Sequence, residues 1–222
     1  MAKPIKFISP EEYDKLIKST KDKEMKLFLM LGFGSGMRMS EIIGLPLKVS
    51  SCCKAPVVYE KRYSDFHRRN IKFYGCTECG RELVKKDFRY TGDSWEISPL
   101  TSDKVDLKKH QIRIDEAKGG KWRVVNTPPS LTEEYIKMLP LKLNRRTVQD
   151  RINKLSIKAL GNKLSPHALR HGYGNYSVNI LKLPLPMVQS LMGHSKIETT
   201  GIYTKANPVD SVNAIWKAMG GE

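Results

Sequence analysis

Leu191 to Lys205 reads LMGHSKIETTGIYTK, and Ser165 to Asn175 reads SPHALRHGYGN. In the first stretch His194 follows Gly193, and Tyr203 stands nine positions further on. Leu191, Met192, Ile197 and Ile202 are spaced to seat two short helices in a core. Gly193 allows close approach of backbone to a ligand. In the second stretch Ser165 can cap a helix and Pro166 suits its first turn. His167 and Arg170 lie three apart and share a helix face. On one face they can grip a single phosphate, Arg as a bidentate fork and His through a donor whose proton moves near neutral pH. Taken alone, each signal is common. An HxxR pair is usually structural or solvated. A tyrosine, with a pKa of about 10, is a poor nucleophile unless cations stabilise its phenolate or a base takes its proton.

Toward the N-terminus, Gly34 to Leu45 reads GSGMRMSEIIGL. The glycines permit a tight turn, and a short helix follows, predicted to be capped by Ser40 and ended by Pro46. Arg38 at its start can reach a phosphate beside the helix N-terminus. Glu41, one turn on, can hold the guanidinium. An isolated Arg at a helix start is more often a solvated surface residue. Two helices precede this segment. One is predicted from Pro10 to Thr20, with Ser9 as cap, Pro10 in the first turn and Glu12 closing a capping box. The other is predicted from Asp22 to Phe33 and is largely apolar.

Between these ends, Gln111 to Asp115 (QIRID) alternates and Trp122 to Asn126 (WRVVN) is β-prone. Gly119-Gly120 between them signals a hairpin turn, and Pro128-Pro129 closes the unit. The remaining helices are predicted at Ser130 to Met138, Arg145 to Leu160, Pro166 to Ile180, Pro186 to Met192, Glu198 to Tyr203 and Val209 to Met219. The fold class is therefore α+β, mainly helical, with a small antiparallel sheet.

In order, the chain carries GSGMRMSEIIGL, AKGGKWRVV, SPHALRHGYGNY and LMGHSKIETTGIYTK. This set resembles the tyrosine recombinase (phage integrase) family over nearly the whole chain outside residues 50–90. The resemblance implies a catalytic domain spanning 1–222. In it Arg38, Arg170 and His194 hold the scissile phosphate, and His167 assists as hydrogen-bond partner and proton carrier. Tyr203 attacks to give a 3′-phosphotyrosyl intermediate, and the hairpin lysine protonates the leaving 5′ oxygen. Lys118 and Lys121 compete for that last role, and Lys118, at the start of the KGGK turn, matches the family position better. Glu41 supports rather than catalyses. Two guanidiniums and imidazole donors stabilise the charge gained by the phosphate without a metal, so no cofactor is implied for catalysis. Lys121, Arg123, Arg145, Arg146 and Arg151 are the expected DNA-binding residues.

The same resemblance implies double-stranded DNA and other copies of the chain as partners, a dimer on a site and a tetramer in synapsis. Integration, excision, dimer resolution and maintenance of a virus, plasmid or other mobile element all use such a site. Val212, Ile215, Trp216 and Met219 form one apolar stripe on the last predicted helix, which packs either on its own core or on a neighbour. Nothing at the N-terminus resembles the family's N-terminal core-binding domain. Two other readings stay open: a type IB topoisomerase-like relaxing activity, and a DNA-binding regulator without catalysis.

Residues 50–90 change character. Arg38 and Lys118 stand 80 positions apart, further than the resemblance implies, so an inserted module is expected. It holds all four cysteines, Cys52, Cys53, Cys76 and Cys79, the last two in a CTECG turn. C-x-x-C-G is a common zinc knuckle, and four thiolates can close a tetrahedral structural site. The adjacent Cys52-Cys53 pair departs from the usual two C-x-x-C arms, and His67 could replace one thiol. Buried free thiols are the plainer alternative. Lys54, Lys61, Arg62, Arg68, Arg69 and Lys72 surround the cysteines, either as a further DNA-backbone contact or as a solvated face.

The composition fits. Lys and Arg number 39 against 23 Asp and Glu, a formal net charge of +16. Like charge at that level points to a polyanionic partner, nucleic acid first. No run of apolar residues reaches a membrane span, and no secretory leader is read at the N-terminus. The expected address is the cytoplasm, with the protein nucleoid-associated when bound to DNA.

Overall fold

The computed structural model describes residues 7–64, 68–117 and 121–193. Helix α1 (Pro10–Ser19) starts as its sequence dictates. The Glu12 amide donates to Ser9 Oγ at 3.2 Å, and the Ser9 amide donates to Glu12 Oε2 at 2.9 Å. Asp22 caps α2 (Lys23–Leu29) by accepting from the amides of Glu24 and Met25. This helix continues through a wider π-turn, Met30–Gly34. Leu27, Phe28, Leu29 and Leu31 are all buried. Residues 27–33 are buried on every side and run through the middle of the core.

Helix α3 (Met39–Ile43) departs from expectation at both ends. Its N-cap residue is Arg38 rather than Ser40, because the Glu41 carboxylate reaches back to the Arg38 amide at 2.7 Å. It ends at Gly44, with φ of 79°, where a Cβ would meet the Trp95 ring at 2.5 Å. Pro46 ends nothing. It lies in strand β1 (Leu45–Ser50), where the register with β5 (Phe88–Ile97) shifts on either side of it. A bulged ladder tolerates a residue without an N–H.

Strands β1 and β5 pair antiparallel, from Leu45 opposite Ile97 to Ser50 opposite Phe88. Everything between them hangs from this two-stranded stalk. It comprises β2 (Val57–Ser64), β3 (Arg69–Cys76) and β4 (Glu82–Leu83), a sheet in the order β2-β3-β4.

A third sheet, β6 (Val105–Asp106), β7 (Gln111–Ala117) and β8 (Lys121–Asn126), is antiparallel. Ile112 and Ile114 face the core opposite Val125 and Arg123, while Trp122 points outward and is 73% exposed. The following helices are α4 (Glu133–Ile136), α5 (Arg145–Leu160), α6 (Pro166–Asn175), which runs on through a π-turn to Ile180, and α7 (Leu185–Met192). Helix α4 is shorter than the predicted span of 130–138. Helix α5 matches its predicted span, capped by Asn144 and ended by Gly161 in the left-handed conformation. Helices α1, α2, α3, α5 and α6 and strands β7 and β8 share one apolar core, while Tyr173, Val188 and Met192 form a smaller cluster that seats α7. Among the described residues no helix is long and apolar enough to cross a membrane.

Candidate active site

A groove of about 330 Å³ opens between the start of α3 and the N-terminal ends of α5 and α6. Arg38, Arg145, Gln149, Ser165, His167 and Arg170 line it. The two residues of the HxxR pair therefore meet Arg38, which lies more than a hundred positions away. His167 stands in the first turn of α6, whose N-terminal amides favour an anion. Burial holds the His167 pKa below the usual imidazole range, helped by the nearby charges of Arg170 and Arg38. His171, edge-on to the His167 ring at 4.4 Å, is lowered to about 4 by burial, His167 and Arg170. Burial thus disfavours the charged form of both rings. An anion in the groove would oppose the two guanidiniums and return His167 toward its ordinary value.

Arg38 donates Nη1–H to Glu41 Oε1 at 2.7 Å and Nη2–H to the Gly193 carbonyl at 2.9 Å. Arg170, 2% exposed, donates to the carbonyls of Gly36 and Met192. Arg123 donates Nε–H to the Leu191 carbonyl at 3.0 Å. Its two terminal nitrogens form a bidentate pair with Glu41, at 2.9 and 2.7 Å. Three guanidiniums from three elements thus hold three consecutive carbonyls, 191 to 193, at the C-terminus of α7. Helix-end carbonyls lack intrahelical partners and carry the negative end of the dipole, so cations are what this end requires. Gly193 turns the chain at φ of 59°, and a Cβ there would press on the Arg123 side chain at 3.0 Å. The glycine makes room for Arg123.

Glu41 is the centre of this network and is 3% exposed. Burial alone would raise its pKa, but the paired guanidiniums of Arg123 and Arg38 outweigh that and hold it below the usual carboxylate range.

Arg123 is the clear correction among the expected DNA-binding residues. It is 7% exposed and committed to Glu41 and Leu191, so it positions the site from within. The signal is legible in the strand alternation: Trp122, Val124 and Asn126 share one face, Arg123 and Val125 the other, with Ile114 directly across from Arg123. Arg145 lines the groove. Arg146 is exposed, and Arg151 pairs with Asp22 at 2.7 Å, outside the groove lining. Lys118, His194 and Tyr203 lie outside the described residues, as do the side chain of Lys121, His67 and the last two predicted helices.

At the root of the inserted sheet, Cys52 and Cys53 sit in the turn after β1, Cys76 ends β3 and Cys79 lies in the turn that follows. The four sulfurs lie within 4.8 Å of one another, with Cys52 and Cys79 at 3.6 Å. Tetrahedral zinc with Zn–S bonds of about 2.3 Å needs sulfurs about 3.8 Å apart, so the cluster has the size for one ion. The Ser50 hydroxyl, 3.2 Å from Cys76 Sγ, with the amides of Cys79 and Glu78, lowers the Cys76 thiol to about 6. Crowding by Cys79 and Cys52 pushes Cys53 up to about 12. Four sulfurs this close cannot all ionise without a cation between them.

Fold and groove together bring Arg38, His167 and Arg170 to one opening, an arrangement that can hold an anion. Residues 136–209 match the phage integrase family. The tyrosine recombinase XerC of Pseudomonas fluorescens is 30% identical over 127 residues, which span 49% of this chain and 42% of that protein. The match thus covers less than half of this relative's length. The catalytic domain of bacteriophage HP1 integrase superposes with a TM-score of 0.53 at 16% identity, covering 96% of this chain and 94% of that one. XerH site-specific recombinase, solved bound to its difH substrate, gives 0.56 at 17% identity, over 97% and 55%. Over residues 136–209 the chain is similar to the phage integrase family, and its fold is that of the solved tyrosine recombinase catalytic domains.

Proposed function

We propose that this chain is the catalytic part of a site-specific DNA recombinase or integrase, acting on double-stranded DNA through Tyr203. The observation that carries this reading is the convergence of Arg38, His167 and Arg170 on one groove. Arg38 and Arg170 also grip the backbone just ahead of His194.

In the proposed reaction Tyr203 Oη attacks the phosphorus. The P–O5′ bond breaks, and a 3′-phosphotyrosyl bond replaces it. Lys118 gives its proton to the departing 5′ oxygen, and the phenol proton leaves through His167. Arg38, Arg170 and His194 bind the non-bridging oxygens as charge builds there, with Glu41 holding Arg38 in place. A 5′-hydroxyl from a second strand reverses the attack, so strands rejoin without ATP or a catalytic metal. The partners are duplex DNA and further copies of the chain, two on a site and four in synapsis, in the cytoplasm.

The test is a nicked duplex that traps the attacked strand, incubated in EDTA and run on denaturing gels. The wild-type chain is expected to give a covalent protein–DNA adduct and Tyr203→Phe none. Equal adduct from both would overturn the assignment. DNA binding without any adduct would favour the regulator. Relaxation of a supercoiled plasmid carrying no recombination site would favour the topoisomerase-like reading.

In the same proposal residues 50–90 form an inserted module held by one structural zinc on Cys52, Cys53, Cys76 and Cys79. Such an ion would supply the charge that lets the thiols ionise together, and would tie the turn after β1 to the end of β3. The purified chain is expected to contain one zinc per molecule by elemental analysis, and Cys76→Ser well under one. Zinc-free wild type with four freely titrating thiols would refute it.

A further inference from the structure

We propose that the antiparallel ribbon of β2 and β3 is an accessory arm that lies on duplex DNA and grips its sugar–phosphate backbone through the face bearing Lys61 and Lys72. The inference rests on the reading of this chain as a DNA recombinase and assigns a partner surface to the inserted module.

The register sets the faces. Tyr59 lies opposite Tyr74, Lys61 opposite Lys72, and Tyr63 opposite Asn70. Directly opposed residues point to the same side of an antiparallel pair, and alternate residues follow them. One face of the ribbon thus carries Tyr59, Lys61, Tyr63, Asn70, Lys72 and Tyr74. It holds no carboxylate. Glu60 is on the other face, where it pairs with Arg62.

Like charges directly opposite each other destabilise a sheet, yet Lys61 and Lys72 are opposed and both exposed. Among the described residues neither has an ion-pair partner. The Lys72 ammonium lies 3.8 Å from the centre of the Tyr59 ring, which fixes its place without cancelling its charge. An anion between the lysines would remove the penalty. Duplex DNA presents one negative charge per about 1.7 Å of its axis, dense enough to meet both at once. At the tip Arg68 adds a further cation, while Arg69, opposite Ser64, lies on the other face with Arg62. Over residues 51–90 ten Lys and Arg stand against five Asp and Glu.

A lysine on an exposed edge strand also deters edge-to-edge aggregation, and β2 is such an edge. That role needs a charge on β2 alone, and an acidic residue across from it would serve better than Lys72. Single-stranded DNA is the weaker match, because it binds by stacking bases on open aromatic rings. Here Lys72 covers Tyr59, and Tyr74 packs edge-on against Phe88 at 4.8 Å. The hydroxyls of the exposed Tyr59 and Tyr63 and the amide of Asn70 instead suit phosphate and sugar oxygens.

The test compares the whole chain with Lys61→Gln/Lys72→Gln and with Arg68→Gln/Arg69→Gln. Each is titrated by fluorescence anisotropy against one labelled duplex of mixed sequence over a range of salt, and against the single strand. Matched circular dichroism and zinc content establish that the arm is folded. The slope of log affinity against log salt is expected to become shallower by about 1.8 in the lysine variant, because each phosphate left unneutralised takes about 0.9 from the slope, and by less in the arginine variant, whose Arg69 faces away. Adduct formation on the nicked substrate at saturating protein should persist. Unchanged slopes in both variants, with wild type binding normally, would reduce the lysines to edge guards and leave the recombinase reading intact. An effect confined to the single strand would overturn the duplex assignment. A wild-type chain that binds no DNA would overturn both.

Discussion

Replacing Arg123 with leucine is expected to destabilise the chain by about 3–5 kcal/mol, the range for removing one partner of a buried ion pair. Arg123 and Glu41 are 7% and 3% exposed and share two hydrogen bonds. Without the guanidinium the carboxylate keeps only Arg38, and the Leu191 carbonyl loses a donor. The effect should depend on pH. Because pairing lowers the Glu41 pKa in the folded chain, its contribution is complete above the ordinary carboxylate value of about 4.3. It fades as pH falls through the lower, folded value. Wild type should therefore lose part of its advantage over Arg123→Leu in acid, read as converging urea midpoints. The variant should also form adduct slowly at temperatures where it is folded, since the end of α7 and the orientation of Arg38 both rest on the network. A variant as stable as wild type, with equal adduct rates, would show that the network is incidental.

The second large effect concerns Arg170. Arg170→Ala is expected to lower the rate of adduct formation by about 10²–10³, the loss typical of one charge-stabilising donor. It also leaves the carbonyls of Gly36 and Met192 without their donor in the interior, so stability should fall as well. Arg170→Lys separates the two roles. A lysine can satisfy one carbonyl but cannot present a fork to a phosphate, so stability should recover further than rate. Rates restored together with stability would make Arg170 a structural residue only. Arg38→Lys gives a useful contrast. Arg38 is half-buried and shares Glu41 with Arg123, so its loss should weigh more on the reaction than on folding.

Much of this architecture is legible where local signals suffice. The Ser9 capping box, the span of α5 and the β7–β8 hairpin follow from caps, periodicity and turn glycines. Helical spacing places His167 and Arg170 together, whereas their meeting with Arg38 follows from family order rather than physics. What escapes is set by long-range partners. Strands β1 and β5 contain Pro46, Gly92 and Asp93, and exist as a pair only because the chain returns to itself across the module. The cap of α3 is not legible locally, because Ser40 is the better cap in isolation, while Glu41 with Arg38 wins in place. The charge of Arg123 suggests a surface residue, but its register opposite Ile114 sends it inward, and a carboxylate waits there.

The stalk has a consequence for how such a chain can be varied. Ser50 and Phe88 are cross-strand neighbours, so the two ends of the module leave the core about 5 Å apart. That gap is what a tight turn spans. Material of any length can be spliced between these points, or trimmed away, with the core sensing little more than the closing of a hairpin. Loop-closure entropy grows only slowly with length. The groove and the module are therefore free to change independently of one another.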